Sequence, residues 1–317
     1  MKVDVSNKKE MGKGVKVEII IPTLNEEETI GELLQSISTH HLPIEISVLV
    51  VDGGSTDNTV EICKRENVKV IRQKSQGKGN AMKEAAEYSN ADAIVFIDGD
   101  GTYSISDLES LLEPILTDKA DMVVGSRILG KREKDSISIL NMLGNKLFNK
   151  TINFAVHSKL TDSLSGYRAI RKSVFNELVL FSINFEIEVE ITVEILAKGY
   201  RLSEVPIKYG TRKGAPAKLN PINDGIRIGR TLLFILMNVN PMKFFGIIAL
   251  CFFVAGIYPA YYVINEKIRT GEIVAMPSVV FASLLFVTGA LSLVIGLVSE
   301  LIVRSRRRLE YLINKKL

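Results

Sequence analysis

Histidine and cysteine are scarce in this chain, with three and two among 317 residues. His40, His41 and His157 show no ligand spacing, so they suggest no metal centre. Cys63 falls in a soluble helical pattern and Cys251 in an apolar run, which excludes a disulfide framework or a thiolate cluster. The phosphate-loop pattern GxxxxGK[ST] and the dinucleotide fingerprint GxGxxG are both missing. A formal charge of +4 is too mild a basic excess to imply nucleic acid as a partner. The opening MKVDVSNKKEMGKGVK has no apolar core of the kind a secretory signal needs, and residues 1–16 read as a flexible, charged lead-in.

Charge itself is absent from two stretches near the C-terminal end, 21 residues over 244–264 and 27 over 273–299. A bilayer core takes about 20 apolar residues of helix. Both stretches read either as membrane-spanning helices or as buried core helices, and their length and freedom from charge favour the first. The run RSRRR at 304–308 belongs on the cytoplasmic side of a membrane. Two spans return the chain to the side it left, so the N-terminal region and the tail are both expected in the cytoplasm, with the charge-balanced loop NEKIRTGE (265–272) outside. Before the first span, DGIRIGRTLLFILMN (224–238) sets basic residues beside apolar ones. It reads as an amphipathic helix in the membrane interface or as a core helix. The expected divisions are a lead-in (1–16), a catalytic domain (17–221), an interfacial helix (222–240), two spans (241–303) and a basic tail (304–317).

Residues 17–126 alternate between two periodicities. VEIIIP (17–22), ISVLVVD (46–52), VKVIRQ (68–73), ADAIVFID (91–98) and ADMVVGS (120–126) are short apolar runs. Between them lie helical patterns, the first opening after Asn25 as a cap. Further on, FEIEVEITVEILAKGYRLSEVPIKY reads as an acidic helix, a turn at Gly199 and a strand. This predicts an α/β fold with a mostly parallel, Rossmann-like sheet covered on both faces. Ligands of such sheets bind at the carboxyl ends of strands, and TLNE, DGGSTD, DGDGT and GSR all fall there.

Each motif has two readings. In DGGSTD, the glycines make a turn and Ser55, Thr56 or Asp57 caps the next helix, but Asp52 at the strand mouth also suits a base or ribose. In TLNEEE, Glu26 suits the helix dipole or a nucleotide. The GKG at 77–79 places Lys78 at a helix N-terminus, where phosphate is attracted. DGDGT (98–102) puts Asp98 and Asp100 two residues apart, on one face if the strand continued. Two neighbouring carboxylates imply either a solvated turn or something positive between them, such as a hard divalent cation with a diphosphate. Of the acids at 186, 188, 190 and 194, Glu188 is the best candidate for a site contact.

IPTLNE, VDGGSTD, GKGNA, DGDGT, VVGSR, SGYRA and RKGAPAKL run in one order over residues 20–219. As a set they resemble glycosyltransferase family 2 with a GT-A fold, and within it the polyprenyl-phosphate glycosyltransferases. DGDGTY, LNMLGN and SGYRA are most similar to archaeal dolichyl-phosphate glucose or N-acetylglucosamine synthases. The resemblance implies that Pro22, Thr23, Asn25, Glu26, Asp52, Gly53, Lys78, Asp98 and Gly99 bind the nucleotide-sugar. Arg212 and Lys218 would reach its diphosphate, and Asp100, with Thr102, would ligate Mg2+ or Mn2+. Arg127 would bind the acceptor phosphate, helped by Lys131 or Arg132, with Asp162, Ser165, Arg168 and Glu188 on the acceptor and sugar side. Two positions depart from the related mannose synthases: Thr102 replaces a glutamine, and Asn141 stands where an arginine is common.

The implied reaction is inverting transfer of a sugar from a nucleotide-sugar to dolichyl or polyprenyl phosphate at a lipid bilayer. Arg127, Asp98 and Asp100 would be its central residues. A GDP-mannose-dependent enzyme and an inactive membrane scaffold stay open. A processive polysaccharide synthase is disfavoured by the absence of QxxRW and of further spans. A homo-oligomer is also left open.

Overall fold

The computed structural model of the protein describes residues 14–131, 133, 139–212 and 240–314, together with Arg230, Leu233 and Met237. Arg132, Lys218, residues 1–13 of the lead-in and most of the expected interfacial helix lie outside these residues. The chain forms two units, Met1–Ile228 and Gly229–Leu317.

Among the described residues the first unit has seven strands: β1 (Lys16–Thr23), β2 (Glu45–Asp52), β3 (Lys69–Arg72), β4 (Ala93–Phe96), β5 (Met122–Ser126), β6 (Arg168–Arg171) and β7 (Leu202–Pro206). They form one sheet in the order β3-β2-β1-β4-β6-β5-β7. All neighbours are parallel except β6, which runs antiparallel to both β4 and β5. Helices α1 (Ile30–Thr39), α2 (Thr59–Arg65), α3 (Lys78–Tyr88), α4 (Leu108–Leu116), α5 (Ile139–Val156), α6 (Lys172–Asn176) and α7 (Ile187–Ala197) accompany it.

Side chains alternate across a strand, so each apolar run feeds two cores. Ile19, Ile21, Val50 and Val95 face one side, where Leu33 and Leu34 of α1 and Leu111 and Leu112 of α4 cover them. Ile20, Leu49, Val51, Ile94 and Phe96 face the other, under Ala81 and Met82 of α3 and Ile187 and Ile191 of α7. Burial on both faces is why the strands read as continuous apolar runs.

The five strands expected over 17–126 are present, as is the one after Gly199. Strand β6 was not anticipated. Its sequence, RAIR, is four residues long and ends in a charge on both sides. Its direction has a consequence for the site: Arg168, at its start, lies opposite Phe96 and Val124 near the ends of β4 and β5. The SGYR segment therefore enters the sheet at the edge where the parallel strands leave it.

A second expectation needs correcting. Helix α1 starts at Ile30, with Thr29 in the cap position, so Asn25 does not cap it. Asn25 adopts a left-handed backbone, φ 57°, and its Oδ1 accepts from the Thr56 N–H at 2.8 Å. Its amide side chain is committed to the neighbouring DGGSTD loop.

In the second unit, α8 (Pro241–Thr270) and α9 (Met276–Asn314) pack against each other. Asn240 caps α8 and Pro241 opens it, while Gly271, in a left-handed conformation, closes it. Small residues form the seam: a Cβ on Gly256 would meet the Phe286 ring at 3.1 Å, and one on Gly289 the Phe253 ring at 2.9 Å. Large apolar residues point outward, among them Leu250, Tyr258 and Val280. The most apolar windows of the two helices, with mean hydropathy 2.1 and 2.4, are only 17 % and 22 % buried. A soluble core helix buries its apolar side chains; these expose them and bury glycine, as packed membrane helices do. Both helices are long and apolar enough to cross a bilayer. NEKIRTGE, expected as a loop, is mostly helical, because α8 continues to Thr270. The basic run at 304–308 likewise continues α9.

Gly77 and Gly79 are required by a close backbone approach. A Cβ on Gly77, where φ is 107°, would lie 2.2 Å from the Ile183 carbonyl oxygen, and one on Gly79 2.6 Å from that of Ser182. Gly77→Ala is expected to destabilise the first unit by about 1–3 kcal/mol through strain and displacement of the 182–185 segment, measured by urea unfolding; an unchanged midpoint would remove this account.

Candidate active site

The sheet order explains why the polar motifs meet. Strand β1 lies between β2 and β4, so TLNE, DGGSTD and DGDGT leave three adjacent strands at one edge. Thr23 stands opposite Asp52 in the register, and the Gly53 N–H donates to the Thr23 carbonyl at 2.8 Å. The Glu26 N–H donates to the Thr59 hydroxyl at 2.9 Å. Helix α2 starts at Thr59 with Asn58 in the cap position, so none of Ser55, Thr56 and Asp57 is its cap residue; Asp57 instead accepts from the Thr59 N–H and hydroxyl and braces the first residue of the helix. Asp52, buried, turns its carboxylate onto its own loop and accepts from the N–H groups of Gly54 and Ser55, both at 3.0 Å. Its remaining lone pairs stay available.

Strand β4 ends at Phe96, so Asp98 and Asp100 sit on the turn beyond it rather than on one strand face. The two acids are held differently. The Lys78 ammonium lies 2.5 Å from Asp98 and 2.6 Å from Glu188, with Glu188 only 3 % exposed. Burial alone would lower the Lys78 ammonium; the Asp98 and Glu188 carboxylates outweigh it and hold it well above the ordinary lysine range. Lys78 does stand at the start of α3, but its charge is spent on these two acids. The Phe185 ring flanks the same ammonium, centred 5.3 Å away. Gly166 completes the cradle, since a Cβ there would lie 2.6 Å from Asp98 Oδ2.

Asp100 is held differently. Its Oδ1 accepts from the Thr102 N–H at 3.1 Å and from the Thr102 hydroxyl at 2.6 Å. Its Oδ2 lies 3.9 Å from Arg212 Nε, beyond hydrogen-bond range. Arg212 instead pairs with Glu26 at 3.0 Å. Burial first, and then Asp100 and Asp98, push the Glu26 carboxyl up to about 7 against the pull of Arg212. Negative charge is therefore in excess around Asp100 and Glu26. Hard carboxylate oxygens with surplus negative charge fit a divalent cation of the Mg2+ type. Among the described residues no three acid, histidine or cysteine side chains could hold an ion by themselves. Asp100 fits as one ligand of an ion completed by substrate oxygens and water. Thr102, buried with its hydroxyl hydrogen committed to Asp100, orients that ligand.

On the β5 side, Arg127 follows the strand end. Its Nε and one Nη donate to the two oxygens of Asp162, both at 2.8 Å, a side-on bidentate pair. The guanidinium stacks over Tyr209, 5.3 Å from the ring centre. Asp162, fully buried, also accepts from Asn145 at 2.8 Å, and Asn149 donates to Asn145 at 3.0 Å. Sequence reasoning had singled out neither asparagine. The readable signal was the spacing of Asn145, Asn149 and Asn153, four residues apart on one face of α5.

Arg168 reaches the same edge but lies beneath it. It is fully buried, and five hydrogen bonds, to the carbonyls of Ser163, Ser165 and Glu188 and to the Thr192 hydroxyl, match the five donors of a guanidinium. Ser165 is buried with its hydroxyl lacking a hydrogen-bond partner among the described residues, as is Glu188 Oε2. Lys131, exposed, lines a separate cavity of about 510 Å³ with Thr102, Tyr103 and Lys208; Asp98, Asp100 and Arg127 do not line it.

The family model for glycosyl transferase family 2 matches residues 18–179, the segment that supplies all of these motifs up to Arg168. The chain belongs to that family. Glycosyltransferase AglJ of Haloferax volcanii is 35 % identical over 294 residues, 91 % of this chain and 94 % of its own length. The UDP-N-acetylglucosamine–dolichyl-phosphate N-acetylglucosaminyltransferase of Methanococcus voltae is 30 % identical, over 69 % of this chain and 95 % of its own. Among solved structures, glucosyl-3-phosphoglycerate synthase of Mycobacterium tuberculosis, in complex with Mn2+, uridine diphosphate and glucosyl-3-phosphoglycerate, superposes with a TM-score of 0.59 at 19 % identity. It covers 75 % of this chain and 84 % of its own, a likeness of fold. The family 2 chain is thus a glycosyltransferase with a GT-A-type mixed sheet and two apolar C-terminal helices.

Two outcomes test this geometry. Lys78→Met leaves two acids facing each other without their cation and is expected to cost about 3–5 kcal/mol; adding Glu188→Gln should recover part of it, as a double-mutant cycle would measure. For Glu26, the folded state binds the proton more tightly than the unfolded chain. Stability should therefore fall as pH rises from about 4.5 to about 7. Glu26→Gln should flatten that slope in metal-free thermal melts, and an identical slope would remove Glu26 as its source.

Proposed function

We propose that this glycosyltransferase moves a sugar, glucose or N-acetylglucosamine, from a uridine diphosphate donor to dolichyl or polyprenyl phosphate, with inversion at the anomeric carbon. The observation that carries the reading is the division of charge along one sheet edge. Asp52, Glu26, Asp98 and Asp100 gather at the ends of β2, β1 and β4, and Arg127 stands at the end of β5 on a rigid carboxylate mount. The acids suit the nucleoside and a metal-bound diphosphate; the arginine suits a phosphate acceptor. The two membrane-length helices and the dolichyl-phosphate specificity in the name of the Methanococcus voltae relative support a lipid acceptor.

A phosphate monoester is already anionic, so it attacks without a strong general base, and catalysis becomes positioning and charge stabilisation. Arg127 orients the acceptor phosphate through the donor groups that Asp162 leaves unused. Asp52 and Glu26 hold the nucleoside, and Arg212 meets the diphosphate. Asp98, fixed by Lys78, stands beside the ribose or diphosphate, where Pro22, Thr23, Asn25, Gly53 and Gly99 complete the wall. A Mg2+ or Mn2+ ion on Asp100 would supply charge stabilisation for the departing diphosphate. Glu188 and Ser165 face the sugar side. The N-terminal unit and the end of α9 lie in the cytoplasm in this reading, following the basic run at 304–308.

Radiolabelled UDP-glucose, UDP-N-acetylglucosamine and GDP-mannose, each with dolichyl phosphate and Mg2+ or Mn2+, test it directly. Label is expected in the lipid phase from a uridine donor. Asp100→Ala should lower that transfer by about 100-fold or more, a loss of several kcal/mol of charge stabilisation. Transfer from GDP-mannose alone would overturn the donor assignment. Undiminished transfer by the Asp100 variant would overturn the metal role.

A further inference from the structure

Glu204 belongs to β7, opposite Val124 of β5, and is half-buried. Its carboxylate turns away from the strand toward the Thr161–Asp162 turn. The Thr161 N–H donates to its two oxygens at 2.9 and 3.1 Å, the Thr161 hydroxyl at 3.0 Å and the Asp162 N–H at 2.9 Å. That turn belongs to no helix or strand, and buried backbone N–H groups need partners. Glu204 supplies them. Among the described residues no cation pairs with it; burial pushes its carboxyl above the ordinary range although these bonds pull it down.

The turn in turn fixes an arginine. Asp162 receives both the backbone N–H of Arg127, at 2.9 Å, and two of its guanidinium donors. The Thr161 hydroxyl lies 2.7 Å from Ser126 Oγ, which accepts the Leu129 N–H, so the same turn also shapes the chain on both sides of Arg127. Among the described residues Arg127 Nη1 makes no hydrogen bond, since Asp162 engages only Nε and Nη2, and it is left to meet an anion. A shift of Asp162 would redirect that group.

We propose that Glu204 is a positioning residue for Arg127, acting through the Thr161–Asp162 turn to aim the guanidinium at the acceptor phosphate; the acceptor's identity rests on the function proposed above. A purely structural staple would hold β7 to the turn without affecting the reactivity of Arg127 in particular.

The test labels the full-length protein in detergent with phenylglyoxal and reads individual arginines by mass spectrometry. In the wild type Arg127 should label slowly, since Asp162 occupies two of its donors. Glu204→Gln places an amide where three donors converge and should raise Arg127 labelling several-fold. Thr161→Val, which removes only the hydroxyl contact, should give a smaller rise. Arg201, on the edge loop with Asp118 and Asp121, should label at its wild-type rate throughout. Unchanged labelling of Arg127, or equal rises at Arg127 and Arg201, would overturn the proposal without reference to any substrate. With polyprenyl phosphate as acceptor, Glu204→Gln should raise the acceptor KM, leave the donor KM in place, and add nothing in an Arg127→Ala background. Additive effects there would also overturn it. A wild type that transfers nothing to the lipid would sink the acceptor assignment alone, because the labelling still decides the positioning role.

Discussion

A lysine ammonium held between two carboxylates is the contact on which the arrangement of this site depends. Lys78 opens α3, Asp98 follows β4 and Glu188 lies in the first turn of α7. Three elements that are remote in sequence are pinned by one charge, and removing a buried partner of this kind costs far more than its net contribution suggests. The neighbouring backbone is shaped to permit it. Gly77 and Gly79 let the 182–183 segment pass against α3, and the absence of a side chain at Gly166 leaves room for Asp98. Because Lys78 satisfies Asp98, the uncompensated charge of the DGDGT turn falls on Asp100, whose second oxygen faces Arg212 only at 3.9 Å. The two acids of one motif thus differ in setting: one is fixed by an ion pair, and the other keeps a lone pair without a close cation.

Much of this was legible because parallel strands buried on both faces leave unambiguous apolar runs. Their carboxyl ends could be marked, and the motifs there do converge. What stayed hidden depends on partners far away in sequence. Lys78 at a helix start reads as an anion site, and nothing local reveals that Asp98 and Glu188, the latter 110 residues away, claim it. The family resemblance places Arg168 on the acceptor and sugar side; only the antiparallel insertion of β6 shows that it is buried under the carbonyls of Ser163, Ser165 and Glu188. Asn25 looks like a cap because the residue type and the following periodicity agree, yet its left-handed backbone turns it to the next loop. The asparagines of α5 were visible as a four-residue spacing, but no isolated pattern says that such a face binds Asp162.

The C-terminal helices were readable for a simpler reason. A membrane removes the alternation of polar and apolar faces that soluble packing demands, so freedom from charge is itself the signal. The seam between α8 and α9 is decided by Gly256 and Gly289 against Phe286 and Phe253, a fit of small against large that composition alone does not locate. The charged residues of NEKIRTGE suggested a loop, whereas helical hydrogen bonding continues through them to the left-handed Gly271. Charge marks where a bilayer would end; it does not mark where a helix ends.

The Asp100 and Arg127 sides of the edge share a wall. Tyr209 carries the Arg127 guanidinium on its face and forms an isolated antiparallel bridge with Tyr103, whose ring packs edge-on against it at 5.2 Å. Tyr103 follows Thr102, the residue that orients Asp100, and its hydroxyl accepts the Gly166 N–H beside Asp98. The Gly210 N–H donates to the Thr102 carbonyl at 2.8 Å. A displacement of this aromatic pair would therefore move the arginine and both acids together. The transfer proposed above would bring two anions together, and it would depend on their separation and alignment, where an error of about 1 Å costs about 100-fold. Building both contacts on one short bridge keeps that separation constant even if the wall as a whole shifts.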